Sequence, residues 1–77
     1  MPTILRILGF RFFFFSNEGS EPPHLHVENA EAYAKFWISP VELASSYQLN
    51  AKELNELRKL VQEHKSLFEQ KWHEYFS

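Results

Sequence analysis

Pro22-Pro23-His24-Leu25-His26-Val27-Glu28 is the stretch whose reading decides the fold. Side chains along a strand alternate between two faces. Leu25 and Val27 then share one face, turned to a core, while His24, His26 and Glu28 share the other. The double proline stiffens the entry to this strand. Pro22 fixes its own φ and restricts Glu21, and Pro23 restricts Pro22. This rigidity either aims His24 at a ligand or simply ends a loop and starts the strand.

Working outward, residues 3–44 are rich in β-branched and aromatic types cut by Gly, Pro and Asn. Thr3 to Leu8 reads as a strand, Gly9 as a turn, and Phe10 to Ser16 as a second strand. Phe10, Phe12 and Phe14 share one face of that strand, and Arg11, Phe13 and Phe15 the other. Two aromatic faces predict an interior strand, or one with a face covered by a partner. Residues 16–23 read as a loop. After His24 to Glu28, Asn29-Ala30 reads as a turn and Glu31 to Ile38 as a fourth strand, ended by Ser39-Pro40. Val41 to Ala44 reads as a short fifth strand at an edge.

The second half changes period. Residues 50–76 hold no Gly or Pro. Asn50 and Glu53 have the spacing of a capping box. Leu54, Leu57, Val61, Phe68, Trp72 and Tyr75 follow three-and-four spacing, with His64 in the stripe and Leu60, Leu67 and Phe76 widening it. A single helix over 51–76 would run about 39 Å, too long for so small a globule, so either the helix breaks near Glu63 to Ser66, the favoured expectation, or its C-terminal part packs on another chain. The fold class is α+β in one domain: an antiparallel sheet of four to five strands over about residues 3–44, then one or two helices over about 50–76 packed on it.

Bulk properties narrow the function. The chain has 77 residues, no Cys, and a net charge of −2, with every acidic residue a Glu. A domain of this size buries only about 60% of its unfolded surface, and thiolate staples are absent. Eight Phe, three Tyr and two Trp supply the apolar area instead. Without a basic excess, no bulk attraction to nucleic acid is expected, only a local patch. No apolar stretch approaches the roughly 20 residues of a membrane span. Met1-Pro2-Thr3-Ile4 does not open a signal peptide, so the expected location is the cytoplasm.

The His pair is the main chemical feature. On one strand face the two residues lie about 7 Å apart by strand rise. Such imidazoles can act as an acid–base pair, bind a metal, sit idle on a solvated face, or hydrogen-bond to loop backbone. Glu28 would lie in a straight row about 13 Å long with them, which disfavours it as a shared metal ligand. A third ligand would come from His64 or His73, which fall on opposite helix faces. No metal set is assigned and no cofactor is expected. Arg6, Arg11 and Lys35 are candidate phosphate contacts, with Tyr33 and Trp37 as base-stacking groups, and His24 and His26 as acid and base for RNA backbone cleavage. The plainer alternative pairs the arginines with Glu across the sheet and puts the aromatics in the core. Trp72, Tyr75 and Phe76 either pack back on the sheet or form an interface with a partner protein or a second copy of the chain.

Four segments carry a family resemblance: Met1-Pro-Thr-Ile, Gly9-Phe-Arg-Phe-Phe-Phe-Phe-Ser-Asn-Glu18, Glu21-Pro-Pro-His-Leu-His-Val-Glu28 and Ala34-Lys-Phe-Trp-Ile-Ser-Pro-Val41. Together they resemble the bacterial family catalogued as domain of unknown function 4160, over most of the chain. The pattern Glu-Pro-Pro-His-x-His-Val is the most specific part; the family usually has Val where Leu25 stands here. The family brings no established activity. Its members resemble toxin components of small toxin–antitoxin operons and are often encoded beside members of domain of unknown function family 2442. The resemblance therefore implies an antitoxin-like protein partner and an RNA target. A non-catalytic binding or regulatory module is the alternative, and a metal-binding protein using the His pair is the third.

Overall fold

The computed structural model describes residues 3–15 and 20–76. Five strands form one antiparallel sheet in sequence order: β1 (Thr3–Ile7), β2 (Phe10–Phe13), β3 (His24–Asn29), β4 (Ala32–Ile38) and β5 (Val41–Tyr47). Two helices follow, α1 (Ala51–Glu63) and α2 (Lys65–Phe76). The α+β expectation holds.

Short turns set the meander. Leu8 and Gly9 both have positive φ (53° and 83°), which gives the two-residue turn whose twist matches antiparallel strands. Leu8 adopts this left-handed conformation without the freedom of Gly, and its side chain is 75% exposed. Ala30 (φ 53°) and Glu31 turn between the paired residues Asn29 and Ala32, one position later than expected. Ser39-Pro40, joined by a cis peptide, links the paired residues Ile38 and Val41.

Several strand boundaries differ from the sequence reading, most of them by one residue and those of β2 and β5 by three. β2 ends at Phe13, because Phe14 and Phe15 leave the ladder while still packing on opposite sides of the sheet. β5 runs to Tyr47 rather than Ala44. Its register shifts between Lys35↔Ser45 and Phe36↔Leu43, so Ala44 is an extra residue that carries pairing onward. The expected loop is described only from Ser20; residues 16–19, with Met1, Pro2 and Ser77, lie outside the described residues.

One sheet face meets the helices. Phe12, Phe14, Leu25, Val27, Ala34, Phe36 and Ile38 are buried there against Leu57, Val61, Phe68 and Trp72. Phe12 stacks on Phe68 at 5.5 Å, and Phe14 meets Trp72 edge-on at 5.3 Å. The helical run breaks at His64, within the expected window. His64 N–H still donates to Leu60 O, and its own carbonyl accepts from Phe68 N–H, so the chain bends rather than reverses. That bend keeps Val61 and Phe68 on the same core. No helix among the described residues is long and apolar enough to cross a membrane.

The Asn50 box forms as expected. Its side chain accepts from Glu53 N–H at 2.8 Å, and the Glu53 carboxylate accepts from Asn50 N–H at 3.1 Å. Asn50→Ala should cost about 1 kcal/mol in urea unfolding, while Asn50→Asp should keep most of it. Phe68→Ala should cost about 3–5 kcal/mol. For a domain this small that removes a large share of the native stability, roughly 0.05–0.15 kcal/mol per residue. A midpoint shift within error for Phe68→Ala would mean the helix–sheet core is not where stability resides.

Candidate functional site

The second face of the sheet, opposite the helices, carries the candidate residues in cross-strand rows. Strand register places Arg6, Arg11, Glu28, Tyr33 and Tyr47 in one row. Phe13, His26, Lys35 and Ser45 form the next, and His24, Trp37 and Glu42 the third. His24, His26, Arg6, Arg11 and Lys35 thus share a face, as the alternation of side chains requires.

That face is not a solvated row of imidazoles. His24 is 0% exposed and His26 3%. The His26 ring stacks near Phe13 (5.5 Å) and Tyr33 (5.8 Å), and meets Phe15 edge-on at 4.4 Å. The two imidazoles lie 5.2 Å apart, ring centre to ring centre, near-perpendicular to each other. His24 also touches Trp37 and, at the end of the sheet, Trp72 on α2. The solvated alternative for the pair is therefore replaced by a small aromatic–imidazole cluster.

Hydrogen bonds hold the cluster. His24 Nδ1–H donates to the Pro22 carbonyl at 3.0 Å, since a carbonyl can only accept. The Pro23 carbonyl accepts from Ile38 N–H at 3.1 Å and extends the β3–β4 ladder by one bond. The double proline thus begins the strand, and the Pro22 carbonyl holds the His24 ring. His26 Nδ1 and the Tyr33 hydroxyl are 2.8 Å apart. Tyr33 lies diagonally across the β3–β4 pair from His26, close enough for a long side chain to reach.

The cations are engaged to different degrees. Arg11 donates from Nε to Thr3 Oγ1 at 2.8 Å and pairs with Glu28 at 3.0 Å, with its guanidinium 4.2 Å from the centre of the Phe13 ring. Lys35 pairs with Glu21 at 3.1 Å and lies 4.6 Å from the centre of the Trp37 ring. Arg6 is exposed and directly opposite Arg11 in the β1–β2 register. Two like charges facing each other repel, and Arg6 forms no ion pair among the described residues. The cross-strand alternative therefore fits Arg11 and not Arg6.

On the helix, Trp72 is buried (5% exposed) between Phe14, Phe76 and His24, whereas Tyr75 is 43% exposed. Of the three aromatics named for a partner surface, Trp72 is in the core, Phe76 is half-buried and Tyr75 is exposed. Tyr75 borders an open groove of about 430 Å³, with Thr3, Ile4, Lys71 and Glu74, away from the His pair. His64 packs near Phe68 and His73 is exposed, both on the helical side. Among the described residues no group of three His, Cys, Asp or Glu side chains is placed to hold a metal ion. Two participants were missed in the sequence: Glu21, treated only as loop, and Tyr33 as the partner of His26. The adjacency of Glu21 to the double proline was the available signal for the first; strand register was needed for the second.

No curated protein and no solved structure matches the chain. The profile of the family described as Domain of unknown function (DUF4160) matches residues 9–73, a span that includes the His pair, the paired cations, all of α1 and α2 as far as His73. On that coverage the chain belongs to the DUF4160 family.

Proposed function

We propose that this chain is the toxin-like component of a two-protein module and engages the RNA backbone with the second face of its sheet. The observation that carries the reading is the common placement of Arg6, Arg11 and Lys35 on the face that holds His24, His26 and Tyr33. Cations on such a face neutralise phosphates, and each neutralised phosphate adds to the salt dependence of binding. His24 and His26 are the acid–base candidates for cleavage. They are covered in this state, so side chains packed on them must move before a phosphodiester reaches them. The toxin-like role rests on the family's resemblance to toxin–antitoxin components.

A non-catalytic docking role is the second reading, and one observation favours it. β5 is one of the two edge strands, its residues from Leu43 to Tyr47 carry no charge, and Tyr47 is 60% exposed. An edge of this kind is a template for strand addition by a partner. The partner expected from the resemblance is an antitoxin-like protein of the 2442 type.

Induction of the chain without its neighbouring gene should slow bacterial growth, and His24→Ala/His26→Ala should restore the empty-vector rate. Equal growth in all three strains removes the toxin reading. Arg6→Gln leaves the core untouched, because Arg6 is exposed. It should weaken RNA binding across sequences and lower the slope of log affinity against log salt by about 0.7–0.9. An unchanged slope removes Arg6 as a phosphate contact. Ser46→Lys should disrupt co-purification with the neighbouring gene product if β5 is the docking edge; undiminished capture excludes that edge.

A further inference from the structure

β1 is the other edge of the sheet, and among the described residues no strand lies on its outer side. Its apolar side chains are closed less well than those of the inner strands. Ile4, Leu5 and Ile7 are half-buried, whereas Phe12 on β2 and Leu25 and Val27 on β3 are at most 1% exposed. The register shift between Thr3 and Leu5 makes Ile4 an extra residue. A bulge of this kind re-aims a side chain. Ile4 packs against the helix-side core and lines the groove of about 430 Å³ with Thr3, Lys71, Glu74 and Tyr75.

Arg6 stands on the opposite face of the same strand. Its row runs Glu28, Arg11, Arg6 across β3, β2 and β1. Arg11 has Glu28 on its inner side at 3.0 Å, whereas the inner neighbour of Arg6 is Arg11 itself. The next place in the row lies one strand further out, and a carboxylate there would offset the repulsion between the two arginines. Side chains of an added strand alternate between faces. An acid facing Arg6 and an apolar side chain facing the groove, an odd number of positions away, therefore belong to one extended segment. A second copy of this chain does not fit. Two-fold pairing of β1 with itself sets the two Arg6 side chains opposite or diagonal to each other, and β5 of one copy on β1 of the next repeats without closing.

We propose that the β1 edge takes an extended acidic segment of a second protein as an added strand, with a carboxylate opposite Arg6 and an apolar side chain in the groove beside Ile4 and Tyr75. Main-chain pairing supplies the affinity, and the two side-chain places supply the selectivity. A charge at the centre of an edge strand also turns away neutral and basic strands. This edge is distinct from β5, whose residues from Leu43 to Tyr47 carry no charge. The inference does not rest on the RNA reading, but both draw on Arg6, so a segment seated on β1 removes one phosphate contact.

The probe is a short peptide alternating valine and glutamate, with a peptide alternating valine and lysine as its charge-reversed control. Each is titrated into the full chain, and the backbone amides are followed in a proton–nitrogen spectrum. The glutamate peptide should shift the amides of Ile4 to Ile7 and leave those of β5 in place. Arg6→Gln should weaken it about fivefold, the factor matching the upper end of an exposed ion pair. Arg6→Glu should reverse the preference, so that the lysine peptide binds more tightly than the glutamate peptide. Arg6 is exposed, so both variants should keep the fold, and spectral dispersion reports it. Serine in place of valine in the peptide should abolish the shifts, because nothing apolar then enters the groove. No response to the glutamate peptide, shifts confined to β5, equal binding of the two charged peptides, or a preference that Arg6→Glu leaves unreversed overturns the proposal. Undiminished binding of the serine peptide removes the groove from it. RNA binding that weakens with Arg6→Gln while no peptide binds retires this edge and leaves the RNA reading standing.

Discussion

β3 has a strand on each side and packed groups above and below, and the rest of the molecule is arranged around closing its two faces. Leu25 and Val27 point to the helices, where an apolar layer is the ordinary solution. His24 and His26 point the other way and are buried just as deeply. A polar ring can be buried at low cost only if its nitrogens are hydrogen-bonded. The Pro22 carbonyl and the Tyr33 hydroxyl each engage one nitrogen of the pair, Nδ1 of His24 and Nδ1 of His26. Stability and candidate chemistry therefore draw on the same side chains. In a chain of 77 residues there is little surplus surface with which to separate the two.

Charge on the second face follows from the same closure. Arg11 and Lys35 lay their stems and head groups over Phe13 and Trp37, which covers the aromatic layer while the charged ends reach carboxylates. Exposed ion pairs contribute at most about 1 kcal/mol, so these pairs organise the face more than they hold the fold. Arg6 stands apart, because its strand neighbour is another arginine and not a glutamate.

The helices answer a problem of length. A straight run of 26 residues would overhang a body whose longest extent is 34 Å. Bending at His64 returns α2 across the sheet, so Phe68 reaches Phe12 and Trp72 reaches both Phe14 and His24. Trp72 consequently belongs to the core and touches the end of the His cluster. Tyr75, one turn further on, reaches the surface.

Local chemistry made much of this legible. Period-two alternation placed His24 and His26 together and away from Leu25 and Val27. Asn50 and Glu53 announced the helix start, and Leu54 to Trp72 announced its buried stripe. Such features depend on neighbours within four residues, so the sequence by itself determined the strand order of faces, the helix cap and the α+β class. Burial of the imidazoles, the partners of Arg11 and Lys35, and the reach of β5 to Tyr47 were decided only in the tertiary structure. Each depends on strand register or on a loop folding over a face, and Glu21 meets Lys35 across fourteen positions of chain. Contacts of that separation arise from the packing of the whole sheet, which no local pattern of residues encodes.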